Sequence, residues 1–301
     1  MFEILSLKIM PIVFFLFIGF VLKRFNFIKK EDGEALLKIV FYIILPAVVF
    51  LSISQVKISL QLLFYPLSAV IMHLIMYALG NYLYKFLRLN FYEKNIFIGS
   101  LMILNMSFIF PFYTAFYGEK EIFRISLFDI GNIVMMSSIV FYAFTFESKN
   151  NKSKFVNLLN IVKTPLIVSL IVGIIFNLFN IDTPISIKIT LEQISKLMGP
   201  LIMLALGICF EPGLENARLG CIIIGVKLIF CLIIGSVLSK ILGFNEIDRN
   251  ILFLAGLAPI GNNILTFTLI SGGDIKLATN LVSLSIVVSL VTVPFFMLFF
   301  A

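Results

Sequence analysis

The chain has 301 residues, of which 60% are hydrophobic and 13% are charged, and its mean hydropathy is +1.10. A soluble domain is typically about 45–50% apolar and about 25% charged. The apolar excess extends along the whole sequence, which excludes an ordinary soluble protein. The net charge of +7 does not indicate nucleic-acid binding, because the basic residues cluster in short loops between apolar stretches. The sequence predicts an all-α, polytopic protein of the plasma membrane.

Ten apolar stretches are long enough for a transmembrane helix, which needs about 20 residues. They are 4–22, 36–54, 60–84, 95–117, 122–146, 161–180, 190–210, 218–241, 250–272 and 277–299. The first is typical of a membrane span and lacks the small-residue cleavage site of a signal peptide. Basic residues number 13 in the loops after odd-numbered spans and 8 on the opposite side. This bias predicts that the odd-to-even loops are cytoplasmic and that both termini are extracytoplasmic.

Proline and glycine recur along the chain at a fixed separation of 154 residues. The matching pairs are Pro11 and Pro165, Gly19 and Gly173, Pro46 and Pro200, and Gly118 and Gly272. Because a repeat of five spans is odd, the second copy enters the membrane from the opposite side. The predicted fold is therefore ten transmembrane helices in two inverted five-helix repeats, residues 1–146 and 160–301, joined by a cytoplasmic loop at 147–159. Secondary transporters have this plan and bind substrate near the bilayer midplane.

The fourth and ninth spans are each interrupted. Pro259 lies in the middle of span 9, where a proline removes a helical hydrogen bond. At the repeat separation Asn105 falls on Pro259, and Pro111 follows Asn105 in span 4. Broken helices are tolerated in a membrane only where they line a protein cavity. We therefore expect the two broken helices to cross near the bilayer centre.

Asparagine side chains next to these interruptions predict an anion site. Half-helices that end at a crossing present N–H groups and partial positive charge there. The predicted substrate site consists of Asn105, Asn262 and Asn263 with the backbone that flanks Pro111 and Pro259. The alternative is that the asparagines only satisfy backbone groups that the prolines leave unpaired.

Three ionisable residues lie inside predicted spans, where charge is costly and often functional. His73 and Lys227 are separated by the same 154 residues, and Asp129 lies in span 5 within an Asp-x-x-Asn pattern. Each is a candidate for coupling transport to H⁺ or Na⁺, or for a counter-ion role. The alternative is a structural role, with His73 and Lys227 capping or bridging helix breaks.

Enzyme chemistry finds little support in the sequence. A single histidine cannot build the ligand sets of zinc sites, and no Gly-rich nucleotide loop occurs. Cys209, Cys221 and Cys231 lie in apolar surroundings, which predicts small buried hydrophobic side chains. We expect no enzymatic activity, no metal and no cofactor.

Short motifs along nearly all 301 residues resemble those of the auxin efflux carrier family, whose bacterial members include malate and other dicarboxylate permeases. The motifs are Gly19-x-x-x-Lys23-Arg24, residues 40–47 (VFYIILPA), Asn105 to Pro111 with Tyr117-Gly118, Thr164-Pro165, Gly199-Pro200 to Gly207, and Ala258-Pro259 with Asn263. Each motif is short, and their order and spacing carry the resemblance.

The resemblance implies a scaffold of spans 1, 2, 6 and 7, a transport part of spans 3–5 and 8–10, an elevator-like motion and a homodimer formed through the scaffold. It also implies that prolines at the crossing shape the site and that an asparagine receives the substrate carboxylate, which points to Pro111, Pro259 and Asn105. Two departures stand out. Ile109 occupies the position of a usual glycine, and the usual asparagine is one residue earlier than Asn105.

Together these observations predict a secondary-active or facilitative transporter of a small organic anion, a mono- or dicarboxylate such as malate. Its expected partners are that anion, membrane lipids and a second copy of the chain. Two alternatives are a sodium-coupled symporter that resembles the bile-acid carriers, and a non-transporting membrane sensor of a metabolite or lipid.

Overall fold

The computed structural model describes residues 5–55, 59–87, 89–140, 144, 165–211 and 217–300, and the regular elements within them are helices. Six of these helices are long and apolar enough to cross a membrane. They are α2 (Lys30–Gln55), α3 (Leu60–Leu87), α5 (Glu119–Val140), α7 (Ile185–Cys209), α8 (Ala217–Ile241) and α10 (Ile275–Phe300). The chain is therefore a polytopic, all-helical membrane protein.

Shorter helices occupy the other predicted spans. They are α1 (Met10–Arg24), α4a (Phe91–Met102), α4b (Met106–Tyr117), α6 (Pro165–Leu178), α9a (Glu246–Leu257) and α9b (Asn263–Ser271). The predicted loop 147–159 lies outside the described residues. Most of the end of span 5 and the start of span 6 do too.

Left-handed backbone conformations mark matching helix ends. Asn26 after α1 has φ 58° and Asn180 after α6 has φ 50°, and asparagine tolerates this region better than most residues. Gly118 after α4b has φ 86° and Gly272 after α9b has φ 72°. The members of each pair are 154 residues apart. A helix stop of this kind at Gly272 follows from its residue type, because glycine has no Cβ to clash.

The helices pack as two groups, a four-helix group of α1, α2, α6 and α7 and a six-helix group of α3, α4 (α4a with α4b), α5, α8, α9 (α9a with α9b) and α10. In the four-helix group, α1 packs against α7 and α2 against α6. In the six-helix group, α3 packs against α5 and α4a, and α8 packs against α9a and α10. The largest fully buried side chains include several phenylalanines of α4 and α5, so the six-helix group holds a dense aromatic core. Contacts between α4b and α7 join the two groups.

Glycines allow the helices of the four-helix group to approach closely. A Cβ on Gly19 of α1 would collide with the Leu204 carbonyl oxygen of α7. A Cβ on Gly173 of α6 would lie 3.3 Å from the Phe50 carbonyl oxygen of α2. Gly19 and Gly173, like Phe50 and Leu204, are 154 residues apart. Small residues at such crossings are typical of membrane helix packing, where close van der Waals contact drives association.

The cysteines are not uniformly buried. Cys231 is buried, Cys209 is half-buried and Cys221 is exposed. The prediction of burial is therefore wrong for Cys221. The reason is that an apolar neighbourhood in a membrane protein is shared by core-facing and lipid-facing side chains, since lipid tails are as apolar as leucine.

Candidate functional site

The two broken helices meet at a short antiparallel bridge. The chain leaves the helical conformation between Met102 and Met106, and again between Leu257 and Asn263. Leu104 pairs with Ile260 in this bridge. The Asn105 N–H donates to the Pro259 carbonyl (2.9 Å) and the Gly261 N–H donates to the Ile103 carbonyl (3.0 Å). A helix break at Pro259 is therefore confirmed.

The bridge corrects the predicted match between Asn105 and Pro259. A two-fold rotation that interchanges the two hydrogen bonds of the bridge matches Ile103 with Pro259 and Asn105 with Gly261. The two residues of each match are 156 positions apart. The separation is again 154 at Gly118 and Gly272, because Gly272 follows Gly261 by 11 positions whereas Gly118 follows Asn105 by 13. A single ungapped separation therefore does not hold through the crossing.

Pro111 is not at the break in span 4. It lies inside α4b, five residues after the helix begins at Met106, and it is buried. Its ring lies beside Gly199 of α7, so that a Cβ on Gly199 would be 3.7 Å from it. The break in span 4 therefore lies at residues 103–105 and not at Pro111, and a role of Pro111 in the substrate site stays a prediction. Asn105 caps α4b at an earlier position, and the helix continues through the proline with one hydrogen bond missing.

Backbone groups around Pro259 are paired by neighbouring helices. The Leu257 carbonyl accepts from Ser289 Oγ (2.7 Å), and the Ile260 N–H donates to Ser285 Oγ (2.9 Å). Lys227 Nζ, on a side chain that is only 3% exposed, donates to the Ala258 carbonyl. Unpaired backbone groups are costly in lipid, so these side chains make the break tolerable. Lys227 thus occupies the bridging position that the sequence left as an alternative.

On the other strand of the bridge, Asn132 of α5 links three groups. Its Nδ2 lies 3.3 Å from the Leu104 carbonyl oxygen and 2.7 Å from Asp129 Oδ1. Its Oδ1 lies 3.0 Å from His73 Nε2. Asp129 and His73, both buried, therefore belong to one network that ends on the crossing backbone.

The three predicted asparagines have different surroundings. The Asn105 side chain accepts from the Phe108 N–H (3.3 Å) and caps α4b. Asn262, at the start of α9b, makes no side-chain capping bond. Asn263 is exposed, and its Nδ2 donates to Met136 Sδ (2.9 Å), a weak acceptor. The Asn105 side chain is therefore engaged by its own helix, whereas Asn262 makes no capping bond and Asn263 contacts α5.

A cavity of about 390 Å³ lies next to these two amides. It opens at the end of the bundle that carries the α1–α2 turn (25–29) and the end of α7, which we call the basic end. Besides Asn262 and Asn263, its polar and charged walls come from Lys30, Glu34 and Lys38 of α2, Cys209 and Glu211 at the end of α7, Thr266 of α9b, and Thr279 and Ser283 of α10. The cavity thus separates the four-helix group from the six-helix group.

Comparison with known proteins identifies the kind of protein that contains this crossing. Residues 4–297 match the family described as "Membrane transport protein". The chain belongs to this family. The family includes auxin efflux carriers and malate permeases, and its members are transporters and not enzymes.

Two curated relatives cover almost the whole transporter. One is an uncharacterized transporter from Methanocaldococcus jannaschii, 25% identical in an alignment 305 residues long that covers 95% of each chain. Another is an uncharacterized transporter from Methanothermobacter thermautotrophicus, 21% identical in an alignment 294 residues long that also covers 95% of each chain.

In this transporter an ion-pair cluster lies at the basic end. The Glu211 carboxylate lies 3.0 Å from Lys30 Nζ and 3.6 Å from Lys23 Nζ, and Lys23 also donates to the Phe210 carbonyl (3.0 Å). Partial burial opposes ionisation of Glu211, but the two ammonium groups outweigh it and hold the pKa of this carboxyl below its usual value. The Glu211 carbonyl accepts from Ser283 Oγ, so this residue connects both helix groups.

A second cavity of about 550 Å³ lies at the opposite end of the bundle. Its walls come from α2, from the first turns of α5 and from the first half of α7, including Gln55, Arg124 and Glu192. The crossing asparagines are not among its lining residues. The two crossing asparagines Asn262 and Asn263 therefore line the cavity at the basic end and not the one at the opposite end.

Sequence reasoning missed Ser285, Ser289 and Met136. The two serines are four residues apart on α10, which places them on one helix face. This spacing predicts a polar face on an otherwise apolar helix. Met136 begins a π-helical turn in α5, Met136–Val140, and such turns are frequent at functional sites. No pattern in the sequence pointed to this methionine.

Proposed function

We propose that this transporter carries a small organic anion, a mono- or dicarboxylate such as malate, by secondary-active or facilitative transport. The anion binds at the crossing of α4 and α9 and is exposed to the two sides of the membrane in turn. The family membership supports carriage across a membrane, and the chemistry of the crossing supports an anion. The substrate class rests on that chemistry.

The observation that carries the proposal is the cavity at Asn262 and Asn263. The first turn of α9b presents partial positive charge and backbone N–H groups to this space. The Asn263 amide is held only by the Met136 thioether, a weak acceptor that a carboxylate oxygen can replace. Lys30 and Lys38 line the same cavity and supply positive charge for a second carboxylate.

We also propose that residues 1–146 and 160–301 are inverted repeats. Besides the matched glycine contacts, two polar contacts support this. Lys23 of α1 donates to the Phe210 carbonyl after α7, and Asn177 of α6 donates to the Ile53 carbonyl of α2 (3.1 Å). Lys23 and Asn177 are 154 residues apart, and each donates from the end of one helix to the end of its packing partner.

An elevator-type motion follows from this arrangement as a proposal. The four-helix group is the scaffold and the six-helix group carries the crossing. Cavities between the two groups at both ends of the bundle support a sliding movement along their interface. We assign the basic end to the cytoplasm from the charge bias of the loops. A homodimer through the scaffold stays a prediction.

The test is counterflow of radiolabelled malate into proteoliposomes that contain the full-length protein. We expect exchange in the wild type. Loss of a hydrogen bond to a charged ligand costs about 1.5–3 kcal/mol, so Asn263→Ala should weaken malate affinity about tenfold or more. Met136→Leu conserves volume and removes only the weak acceptor, and it should keep malate affinity.

The matched control is Asn81→Ala. Asn81 lies on α3, and its amide donates within the same helix to the Tyr77 carbonyl (2.9 Å). This variant should exchange malate as the wild type does. If neither malate nor a panel of other mono- and dicarboxylates exchanges, or if Asn263→Ala and Asn81→Ala behave alike, the proposed anion site is incorrect.

A further inference from the structure

His73 lies in the middle of α3 and has hydrogen-bond acceptors at both ring nitrogens. Its Nδ1 lies 2.7 Å from the Ala69 carbonyl oxygen, and its side chain is 1% exposed. A carbonyl oxygen has no proton to give, so Nδ1 must carry one. The other nitrogen, Nε2, faces Asn132 Oδ1 at 3.0 Å.

The orientation of the Asn132 amide is fixed by its other two partners. Its NH₂ group faces the Leu104 carbonyl oxygen and Asp129 Oδ1, which are both acceptors. With the Asp129 carboxyl ionised, the amide oxygen faces His73 and Nε2 donates to it. In this arrangement both ring nitrogens are protonated, and the ring is an imidazolium.

The positive ring is balanced through Asn132 by the Asp129 carboxylate, which is 8% exposed. The elements packed against α3 present few other charged or strongly polar groups to the ring among the described residues. Lys227 of α8 acts on the ring as a like charge, and the Met102 backbone of α4a lies near the ring. A buried charge requires a compensating partner, and Asp129 is the carboxylate that supplies it.

We propose that His73, Asn132 and Asp129 form a proton-binding site, which we call the relay, and that it couples proton binding to the crossing. This inference deepens the proposed function, because it names H⁺ as the coupling ion. The NH₂ group of Asn132 already bridges Asp129 and the Leu104 carbonyl, the position that a sodium ion would need. The relay therefore holds a proton and not a metal cation.

When the relay loses its proton, neither orientation of the Asn132 amide gives every group of the relay a hydrogen-bond partner. When a base in solvent takes the proton from Nε2, the ring lone pair faces Asn132 Oδ1. Rotation of the amide restores a bond to the ring, but it then directs the amide oxygen at the Asp129 carboxylate and at the Leu104 carbonyl. Leu104 forms the bridge with Ile260, so deprotonation changes the hydrogen bonding of the crossing backbone. A buried polar group without a hydrogen-bond partner costs free energy, so deprotonation of the relay and a change in the crossing backbone are coupled.

The first test uses the fact that the chain has one histidine. Full-length protein is labelled with ¹⁵N-histidine, purified with a tag that lacks histidine and studied by NMR in lipid nanodiscs from about pH 5 to 9, around the ordinary range of histidine. We expect two protonated ring nitrogens at neutral pH and loss of one proton at alkaline pH. A neutral ring throughout the range would overturn the proposal.

Asp129→Asn removes the counter-charge and keeps an acceptor for Asn132, and it should lower the proton affinity of the ring about tenfold or more. The matched control is Asp274→Asn. Asp274 accepts from the Leu277 N–H (3.0 Å) at the start of α10, a capping role that asparagine also fills. A ring whose proton affinity is the same in both variants would overturn the relay. If Asp129→Asn does not fold, the wild-type titration decides alone.

The second test measures malate uptake into proteoliposomes with and without an inward proton gradient. We expect the gradient to stimulate uptake by the wild type and by Asp274→Asn. In His73→Gln the glutamine amide donates to Asn132 but does not titrate. The ratio of malate uptake to malate counterflow in this variant should therefore not respond to the proton gradient. If malate exchanges but only a sodium gradient or no gradient stimulates uptake, the relay is wrong and the anion carrier stands. If no carboxylate exchanges, the carrier proposal fails and the NMR titration still decides the proton site.

Discussion

At the scale of single residues, two arginines show how surroundings decide the value of an ion pair. Arg124 of α5 is 20% exposed and pairs with the buried Asp248 (2.6 Å) and with the Tyr65 hydroxyl (2.8 Å). Arg249 is 41% exposed and pairs with Glu246, which is 76% exposed, at 3.3 Å. Removing one partner of a buried pair costs about 3–5 kcal/mol, whereas exposed pairs contribute less than about 1 kcal/mol.

We therefore expect Arg124→Gln to lower the unfolding temperature clearly and Arg249→Gln to change it little. Both variants lose one positive charge at the end of the bundle away from the basic end, so net charge is matched. Thermal unfolding in detergent, followed by intrinsic fluorescence, gives the comparison. Equal losses of stability in the two variants would contradict the distinction.

At the scale of helices, the contact between α1 and α7 depends on two glycines, Gly19 of α1 and Gly207 of α7. Each glycine faces the backbone of the other helix. A Cβ on Gly207 would collide with the Leu16 carbonyl oxygen, as one on Gly19 would with Leu204. Gly207→Ala must therefore push the helices apart or shift the backbone, and overpacking of this kind costs about 1–3 kcal/mol. We expect a lower unfolding temperature for this variant.

The control for this prediction is Gly225→Ala in α8. A Cβ at Gly225 would meet no atom within 4 Å, and the residue lies inside a regular helix. Alanine is favoured over glycine in a helix by about 1 kcal/mol. The same measurement should show an unchanged or raised unfolding temperature. A destabilised Gly225→Ala variant would mean that helix contacts do not explain the effect at Gly207.

At the scale of the whole molecule, the cavity beside Asn262 and Asn263 opens toward the basic end. Cys209 lines that cavity and is half-buried, Cys231 is buried and Cys221 is exposed on α8. In a Cys221→Ala, Cys231→Ala variant we expect Cys209 to react with a membrane-impermeant thiol reagent from the cytoplasmic side. Labelling in right-side-out and inside-out vesicles measures this, and faster reaction from outside would reverse the assignment of the basic end.

Malate at saturating concentration should slow this labelling, because the anion and the reagent share the cavity. Chloride at the same ionic strength is the control for a general salt effect. Equal labelling rates in malate and chloride would place the anion outside this cavity.

Several features of the fold were predictable because they are local. Pro259 is followed two residues later by Gly261 in an apolar span, and the predicted break at Pro259 depends on these local residues. Pro111 shows the limit of this argument. The preceding helix α4a ends at Met102 and Asn105 caps the start of α4b, so this proline lies inside α4b and packs against α7.

The roles of the site residues depended on contacts over long separations. Asn105 is engaged by its own helix, while Asn263 meets Met136 of α5, 127 residues away. Ser285 and Lys227 satisfy backbone groups on either side of Pro259. Periodicity and spacing report which face of a helix a residue occupies, but not which partner it meets there.

The sequence by itself determined that this protein is a helical membrane transporter with interrupted spans, because hydropathy and proline act on each segment independently of its neighbours. Only the tertiary structure decided which buried polar groups pair and where the cavity opens. The reason is that hydrocarbon leaves no solvent to satisfy a polar group, so each one takes its role from the helix that folding brings against it. His73 and Lys227 are 154 residues apart, the separation of the proposed repeats, yet one meets an amide and the other a carbonyl.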